Sequence, residues 1–340
     1  MDTTNTLSAA AWPARTRLLF PGLIACGVVA AAATFLSQHY GAPVMLFALM
    51  LGMAMNFLSG DGPCKPGIEF TARHVLRWGV ALLGLRITAA QVVALGWHPV
   101  IVVAVSLVLT IAVSMVVARL TGFNILFGLL SGGATAICGA SAALALSAAL
   151  PPHPLKERAT LFTVVGVSAL STFTMILYPM LARALGLDDQ TAGVFLGATI
   201  HDVAQVVGAG YGMSQQVGDT ATLVKLMRVA SLLPVILFAV LYTRATGKAA
   251  PGEQRPPLLP WFAVGFAALV ALNSTGWLPS AASQLGTAVS GWFLVAAMAA
   301  IGMKTQLREL VTVGIKPVLL MVGETAFLAL LALGLLRWSA

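Results

Sequence analysis

The stretch NILFGLLSGGATAICGASAALALSAA, residues 124–149, decides the class of fold. It contains no Asp, Glu, Lys or Arg, and it is long enough to cross about 30 Å of hydrocarbon as a helix. Its middle, from Ser131 to Ser141, is rich in glycine and small polar residues. Each glycine lowers helix propensity by about 1 kcal/mol relative to alanine. We therefore predict a membrane-spanning helix that is broken near the membrane midplane.

The composition of the whole chain extends this prediction. The 340 residues are 59% hydrophobic and 9% charged, with a mean hydropathy of +0.94, whereas soluble proteins are about 25% charged. Backbone polar groups must be satisfied within the segment in lipid, and period-two alternation is absent, so helices are favoured over a barrel. The predicted fold class is an all-α polytopic membrane protein with about eleven transmembrane helices. The spans fall approximately at 18–36, 41–58, 72–90, 97–118, 124–149, 159–182, 190–212, 220–243, 258–273, 282–303 and 316–337.

The net charge of +8 would indicate nucleic acid in a soluble domain. Here we attribute it to membrane orientation and predict a lipid-bilayer partner and no nucleic acid. With eleven spans and a cytoplasmic N-terminus, twelve basic residues fall inside and three outside, a strong positive-inside bias. A single re-entrant segment at 124–149 would move every later loop to the opposite side of the membrane and remove this bias. The sorting predicts a bacterial inner-membrane protein with a periplasmic C-terminus. The inner residues are Arg15, Arg17, Lys65, Arg73, Arg119, Arg183, Arg244, Lys248, Arg255, Lys304, Arg308 and Lys316, and the outer ones Lys156, Arg158 and Arg337.

Internal similarity predicts two inverted repeats, as in many transporters. Residues 131–139 align with 283–291 at an offset of about 151, and His74–Arg77 align with Lys225–Arg228 at nearly the same offset. That offset covers five spans, so the copies point in opposite directions. The predicted domains are a tail and extra helix at 1–40, a first five-helix repeat at 41–182 and an inverted repeat at 190–337. No soluble domain is predicted, and the polar stretch 243–257 is interpreted as a linker. A rival offset of 218 stays open.

Two interrupted helices that cross would expose backbone N–H groups at the membrane midplane, where they suit an anion. The alternative is that small residues merely allow close helix packing. We predict breaks in the fifth and tenth spans and an anion site between them. The predicted substrate-binding residues are Ser131, Gly132, Gly133, Thr135, Cys138, Gly139, Ser141, Gln284, Thr287, Ser290, Gly291, Lys225 and Arg228.

The seventh span contains the ionisable pair His201 and Asp202, with Gln205 one turn further. Such a pair is costly in lipid, and it is by default a functional-site hypothesis. On a helix the three polar side chains would share one broad face. We predict that His201, Asp202 and Gln205 couple transport to an ion or proton; the alternative is a buried pair that locks helices together. No metal site is predicted, because no second His or Cys lies at ligand spacing.

Basic residues inside spans are the other unusual feature. Arg77 and Arg228 lie about two turns inside their spans, too deep for simple snorkelling to the headgroups. They either attract an anion or pair with Asp202 or Glu324, and the residues alone leave both options open.

Several segments resemble one family. LMLGMAMNFL (49–58), GIEFTARHVLRWGVALLGLRIT (67–88), SGGATAICGASAAL (131–144), FLGATIHDVAQVVGAGY (195–211) and ATLVKLMRVASLLPVIL (221–237) are similar to the YeiH-type bacterial inner-membrane proteins. The likeness covers nearly the whole chain after the first twenty residues and implies a multi-span protein that exports sulfate or a related anion. The plan of five plus five inverted helices also resembles bile-acid/sodium symporters and sodium/proton antiporters, a likeness of fold that does not fix the substrate.

Together these features predict a secondary active transporter of a small anion that works by alternating access. No ATP-binding loop is present, so H⁺ or Na⁺ is the predicted coupling ion and no cofactor is expected. A passive anion channel is the alternative. An intramembrane enzyme built on Cys138, Ser141 and His201 is less favoured, because no hydrolase motif supports it. A homodimer stays open.

Overall fold

The structure is a computed structural model that describes residues 11–40, 43–151, 155–245, 261–305 and 315–338. Within these residues every regular element is helical. A π-helical turn at Thr71–Val75 joins α3 to α4, and 3-10 turns lie at Asn56–Ser59 and Leu83–Leu85. The helices are α1 Ala11–Tyr40, α2 Val44–Ala54, α3 Lys65–Phe70, α4 Leu76–Leu82, α5 Ala89–Ala94, α6 His98–Leu120, α7 Ile125–Ala136, α8 Ala140–Ala149, α9 Lys156–Ala184, α10 Asp189–Thr199, α11 Val203–Tyr211, α12 Gln215–Ala230, α13 Leu232–Ala245, α14 Trp261–Ser274, α15 Ser280–Lys304 and α16 Ile315–Trp338.

Six helical segments are long and apolar enough to cross a membrane unaided. They begin at Thr16, His98, Lys156, Gln215, Ser280 and Lys316 and run for 23 to 29 residues. The multi-pass membrane class predicted from composition is therefore confirmed. Most of the predicted linker 243–257 and the basic residues Lys248, Arg255 and Arg308 lie outside the described residues.

The fifth predicted span is a hairpin that enters and leaves on the same face. Asn124 is the N-cap of helix α7, and its side chain accepts a hydrogen bond from Leu126 N at 3.0 Å. The chain turns at residues 137–139, and α8 then runs back along α7. A Cβ on Gly133 would lie 2.4 Å from Leu146 Cδ1, so α8 folds back closely against α7. We call α7 and α8 the first hairpin and residues 137–139 its tip.

The seventh predicted span is a second hairpin, built from α10 and α11 with its tip at residues 200–202. Helix α12 sets its direction. Gly193 and Gly197 of α10 contact successively later residues of α12, so these two helices are parallel. Gly210 at the end of α11 contacts Gly218 near the start of α12, so those two are antiparallel. The arms α10 and α11 therefore run in opposite directions, and Ser214 Oγ donates to Asp189 Oδ2 at 2.6 Å where the hairpin closes.

Two of the eleven predicted spans, the fifth and the seventh, are therefore hairpins and not single crossings. The two hairpins open on opposite faces of the bundle, because α9 crosses once between them. We call the face that holds the ends of α7 and α8 the first face, and the opposite one the second face. Asn56 donates to Met303 O at 2.6 Å on the first face, and Ser283 donates to Leu85 O at 2.9 Å on the second, as this alternation requires.

Cysteine labelling tests the hairpins directly. After replacement of the native Cys26, Cys64 and Cys138, we expect Glu157→Cys to be labelled from the same side as Asp61→Cys, and Arg183→Cys from the same side as Trp277→Cys. Eleven full crossings require the reverse grouping. A membrane-impermeant maleimide applied to cells and to inverted vesicles measures it, and labelling of positions 157 and 277 from one side would contradict the first hairpin.

The helices form two bundles that meet along α11 and α12. The first, the support bundle, contains α1–α4, α14 and α15, which pack mainly on one another. The second, the hairpin bundle, contains α6, both hairpins, α9, α12, α13 and α16. A Cβ on Gly208 of α11 would contact Met45 of α2 and Met298 of α15, so apolar packing connects the bundles.

The predicted break in the tenth span is wrong. Helix α15 runs without interruption from Ser280 to Lys304 and lies in the support bundle. Its small residues serve packing instead: Ser290 Oγ donates to Gly79 O at 2.6 Å, and a Cβ on Gly302 would lie 2.3 Å from Leu49 O. The similarity between 131–139 and 283–291 therefore pairs a hairpin tip with a continuous helix.

A polar clasp joins the two bundles near the second face. Arg86 Nε of the support bundle lies 3.3 Å from Asp219 Oδ1 of α12. Tyr211 of α11 donates its hydroxyl to the same Asp219 oxygen at 2.6 Å, and the Arg86 guanidinium lies 5.0 Å from the Tyr211 ring centre. The three side chains connect the hairpin bundle to the support bundle on the second face.

Candidate functional site at the hairpin tips

The two hairpin tips meet inside the bundle. A Cβ on Gly139, in the first tip, would lie 3.6 Å from His201 Cβ in the second. Gly139 has φ +66°, a conformation that residues with a Cβ rarely adopt, and this allows the sharp turn from α7 into α8. Each tip thus brings a helix C-terminus and a helix N-terminus to the same place.

Arg228 holds the C-terminal ends of α7 and α10 together. The side chain is 1% exposed. Its Nε donates to Ala136 O at 2.7 Å and its Nη2 to Thr135 O at 2.7 Å, both in the first hairpin. Its Nη1 donates to two carbonyls of the second hairpin, Gly197 O at 3.2 Å and Ile200 O at 3.0 Å. One guanidinium therefore binds the carbonyl ends of both hairpins.

Lys225 does the same one turn earlier on α12. Its ammonium is fully buried and donates to Ile137 O at 2.7 Å and to Ile200 O at 2.9 Å. The residue lies ten positions, or about 15 Å, into α12, which places it near the middle of the crossing. Helix C-termini carry partial negative charge, so both cations are placed where helix dipoles favour them.

These contacts test one of the two predicted roles of the buried basic residues, ion pairing with a carboxylate. Within the described residues no carboxylate lies within 4 Å of either Lys225 or Arg228. Pairing of Arg228 with Asp202 or Glu324 is therefore wrong in this structure. Carbonyl dipoles neutralise the charge of the Arg228 guanidinium only in part. Arg77, on α4, is half-buried.

His201 bridges the tips to α16. Its Nδ1 lies 3.1 Å from Thr135 O, and its Nε2 lies 3.0 Å from the Thr325 hydroxyl. Because a carbonyl can only accept, Nδ1 carries a proton. The ring makes no described hydrogen bond to Cys138 or Ser141; instead the Ser141 hydroxyl donates to Cys138 O and lies 3.1 Å from Cys138 Sγ. These residues do not form a hydrogen-bonded nucleophile and base.

Asp202 and Gln205 do not share a helix face with His201, because His201 and Asp202 lie in the tip itself. Asp202 is partly exposed and caps α11, where its carboxylate accepts from Ala204 N at 2.8 Å. The backbone N–H of Asp202 donates to Ser171 Oγ of α9 at 2.9 Å. Gln205 donates to Thr172 Oγ1 at 2.9 Å, while its buried Oε1 has no described partner.

The other helix N-terminus at the tips, that of α8, is open. Its N-cap is Gly139, which has no side chain to accept the free N–H groups of the first turn. Ser141, in that first turn, is exposed although it lies at the tip. The two tips thus differ: α11 has its own carboxylate, Asp202, and α8 has none.

The hydroxyls predicted to bind substrate instead surround a carboxylate. Ser131 Oγ donates to Glu324 Oε1 at 2.7 Å, and Thr135 Oγ1 donates to Glu324 Oε2 at 3.1 Å. Ser114 of α6 also contacts Oε1. The sequence marks Glu324 as an intramembrane acid, but it does not reveal these partners, because they come from α6 and α7, about 190 to 210 residues away.

The remaining predicted binding residues lie elsewhere. Gly132 and Gly133 are buried on α7, where they allow α6 and α8 to approach. Gln284, Thr287, Ser290 and Gly291 are on α15 in the support bundle. The structure does not bring these four residues to the tips.

A cavity of about 280 Å³ lies at the base of the first hairpin, on the first face. Its lining is mainly apolar, and Lys156 and Arg158 contribute to it from the start of α9. None of Lys225, Arg228 and His201 lines this cavity. Within the described residues there is no group of His, Cys, Asp and Glu side chains that could hold a metal ion.

Sequence comparisons relate the chain to one family and to several membrane proteins. The family described as Conserved hypothetical protein 698 matches residues 21–321. A UPF0324 membrane protein of Chlorobaculum tepidum is 52% identical over 94% of this chain and 90% of its own length. The UPF0324 membrane protein TauZ of Paracoccus denitrificans is 53% identical over 91% of this chain and 92% of its own. One from Rhizobium meliloti is 49% identical over 92% and 91%. No solved structure matches the chain significantly.

The resemblance seen in the sequence is confirmed by these matches, which extend along nearly the whole chain. Identities near 50% over this length establish common ancestry with proteins named as membrane proteins. The chain therefore belongs to the UPF0324 family of membrane proteins.

Proposed function

We propose that the protein is a secondary active transporter that moves a small anion, such as sulfate, by alternating access. One observation carries the proposal: two hairpins from opposite faces meet around Lys225 and Arg228 in the middle of the bundle. Irregular backbone at membrane depth is tolerated only where it is buried or lines a pathway, and here it forms from both faces.

The charge at the tips favours an anion. Lys225 and Arg228 are basic side chains whose described hydrogen bonds all go to carbonyl oxygens. The carboxylate at the tips is that of Asp202, which caps α11. The open N-terminus of α8 is the equivalent position in the first hairpin, and we assign the anion to it, with the exposed Ser141 as a hydroxyl donor.

The hairpins also change how the basic residues are distributed between the two faces of the bundle. Because the first hairpin returns to its own face, Lys156 and Arg158 join the basic face, while Arg183 moves to the other. Sorted by connectivity, the bias of twelve against three becomes thirteen against two. We propose that the first face is cytoplasmic and that the protein lies in the bacterial inner membrane with a periplasmic C-terminus.

We propose coupling to a proton or Na⁺ gradient, with Asp202 the tip carboxylate that is open to a pathway. His201 contacts both the first hairpin and α16, and we propose that it transmits movement of the first tip to α16. Alternating access would come from movement of the hairpin bundle against the support bundle, with the Arg86–Asp219 clasp closed on the second face in this structure.

Uptake of labelled sulfate into proteoliposomes tests the proposal. We expect a pH or Na⁺ gradient to drive accumulation above equilibrium, whereas a passive channel would only equilibrate. Ser141→Asp supplies a carboxylate to the α8 N-terminus, just as Asp202 does for α11. We expect it to abolish uptake without lowering thermal stability, because a carboxylate at a helix N-terminus is stabilising.

Gln284→Asp is the matched control, since Gln284 is also exposed and near a helix N-terminus but lies in the support bundle. We expect its uptake to match that of the wild type. Normal sulfate uptake by the Ser141→Asp variant would contradict an anion site at α8.

A further inference from the structure

Glu324 is a buried carboxyl group whose described hydrogen-bond partners are all hydroxyls. It is 5% exposed and lies nine residues into α16, close to the middle of the crossing. Ser114 of α6 and Ser131 of α7 contact its Oε1, and Thr135 of α7 contacts its Oε2 at 3.1 Å. Within the described residues, no Lys, Arg or His nitrogen lies within 4 Å of this carboxyl. The group therefore has no cation to balance a negative charge.

Counting protons shows which form of Glu324 fits this geometry. Four oxygen–oxygen contacts of 3.1 Å or less connect these groups: Ser114 to Gly128 O, Ser114 to Oε1, Ser131 to Oε1, and Thr135 to Oε2. The Ser114 and Ser131 hydroxyl oxygens lie further apart, at 3.4 Å. Each contact needs one hydrogen, but the three hydroxyls supply only three. Since Ser114 must donate to the Gly128 carbonyl, the fourth hydrogen has to come from the carboxyl. A protonated Glu324 that donates to Ser114 satisfies all four contacts.

Loss of that proton changes the connection between α6 and the first hairpin. The Ser114 hydroxyl would then turn to the carboxylate, and Gly128 O would lose its bond from α6. The Ser131 and Thr135 hydroxyls would bind the carboxylate more strongly, because hydrogen bonds to ionised groups are the strong ones. Protonation therefore decides whether α7 is held by α6 or by α16.

A single residue, Thr135, connects Glu324 to the side chains at the tips. Thr135 offers its hydroxyl to Glu324, and its carbonyl accepts from Arg228 Nη2 and faces His201 Nδ1. The titratable groups that face the region are therefore His201 and Arg228, both through Thr135, and Tyr178 of α9, which donates to Thr325 O at 3.4 Å. None of them contacts the carboxyl directly.

We propose that Glu324 binds and releases the coupling proton, and that the proton acts by switching the hydrogen bond of Ser114 between Gly128 and Glu324. The assignment deepens the proposed transport function and rests on it for its physiological meaning. Proton binding by Glu324 itself does not depend on that function and can be measured separately.

Infrared difference spectroscopy of the purified protein, titrated with pH, measures the proton. We expect the C=O band of a protonated carboxylic acid in the wild type, which disappears as the pH rises. The band should be absent from Glu324→Gln and present in Glu157→Gln, an exposed residue with the same change, and in Asp202→Asn. A band that persists unchanged in Glu324→Gln overturns the assignment.

Transport in proteoliposomes tests the coupling. The amide introduced by Glu324→Gln can still donate to Ser114, so this variant mimics the protonated state and should fold. We expect loss of accumulation driven by a pH gradient, with exchange of labelled for unlabelled anion retained. Gradient-driven accumulation at the wild-type level would overturn the coupling role. If the wild type moves no anion, the transport proposal fails, while the infrared result still decides whether Glu324 binds a proton.

Discussion

Arg228→Met is expected to cause the largest loss of stability of any single substitution at the site. The change leaves Ala136 O and Gly197 O, at the ends of α7 and α10, without the donor that now joins them. Charge-assisted hydrogen bonds contribute about 1.5–3 kcal/mol each, and an orphaned buried group costs about 1–3 kcal/mol. Removal of the buried charge recovers desolvation energy, but four bonds are lost. We expect a net loss of about 3–5 kcal/mol.

Thermal unfolding of the detergent-purified protein measures this loss. Lys225→Met should lose less, because Lys225 makes two such bonds where Arg228 makes four. Arg158→Met is the control: Arg158 is exposed, and its described contact is with the Phe162 ring, so its loss should stay within about 1 kcal/mol. Equal melting temperatures for Arg228→Met and the wild type would contradict the role of Arg228 as the link between the hairpins.

Gly302→Val is expected to prevent assembly of the support bundle. A Cβ at this position would lie 2.3 Å from Leu49 O and 3.0 Å from Gly52 Cα, and both are backbone atoms that cannot rotate away. Helices α2 and α15 would have to separate, and the Asn56 bond to Met303 O would break with them. Overpacking a well-packed core typically costs about 1–3 kcal/mol, and a clash with the backbone of α2 places this change at or above the upper end.

The control for Gly302 lies on the same helix. A Cβ added at Gly291 would have no neighbouring atom within 4 Å, so Gly291→Val meets open space. We expect Gly291→Val to give wild-type yields of monodisperse protein by size-exclusion chromatography, and Gly302→Val to give little or none. Similar profiles for the two variants would show that α2 and α15 do not pack as closely as described.

The sequence predicts the environment of the site better than its topology. Local composition marks 131–141 as a place where a helix is interrupted, and buried ionisable residues mark Lys225, Arg228, His201 and Asp202 as functional candidates. Both signals are local and chemical. They do not distinguish a helix that bends and continues from one that turns back, because the same glycines and small residues permit either.

The charge pattern does not reveal the hairpins, because the second hairpin cancels the effect of the first on the sidedness of the later loops. One hairpin reverses the predicted side of every later loop, and the second restores it. Only the segment from Lys156 to Arg183, between the two, is misplaced by an eleven-span count, and it contains few basic residues. The predicted break at 283–291 is wrong for a different reason: serine, threonine and glycine at helical spacing serve close packing in α15 as well as they serve a turn.

Neither hairpin changes the side of the membrane on which the following loops lie. Each begins and ends on one face, so a hairpin could be shortened, exchanged with that of a relative or removed without inverting any helix that follows it. A change of one through-going helix, by contrast, would turn every later loop to the wrong compartment. The part of the chain that forms the site can therefore vary independently of the scaffold that orients it, and chimaeras between relatives are best joined at residues 121–124 and 150–156 or at 185–189 and 212–215.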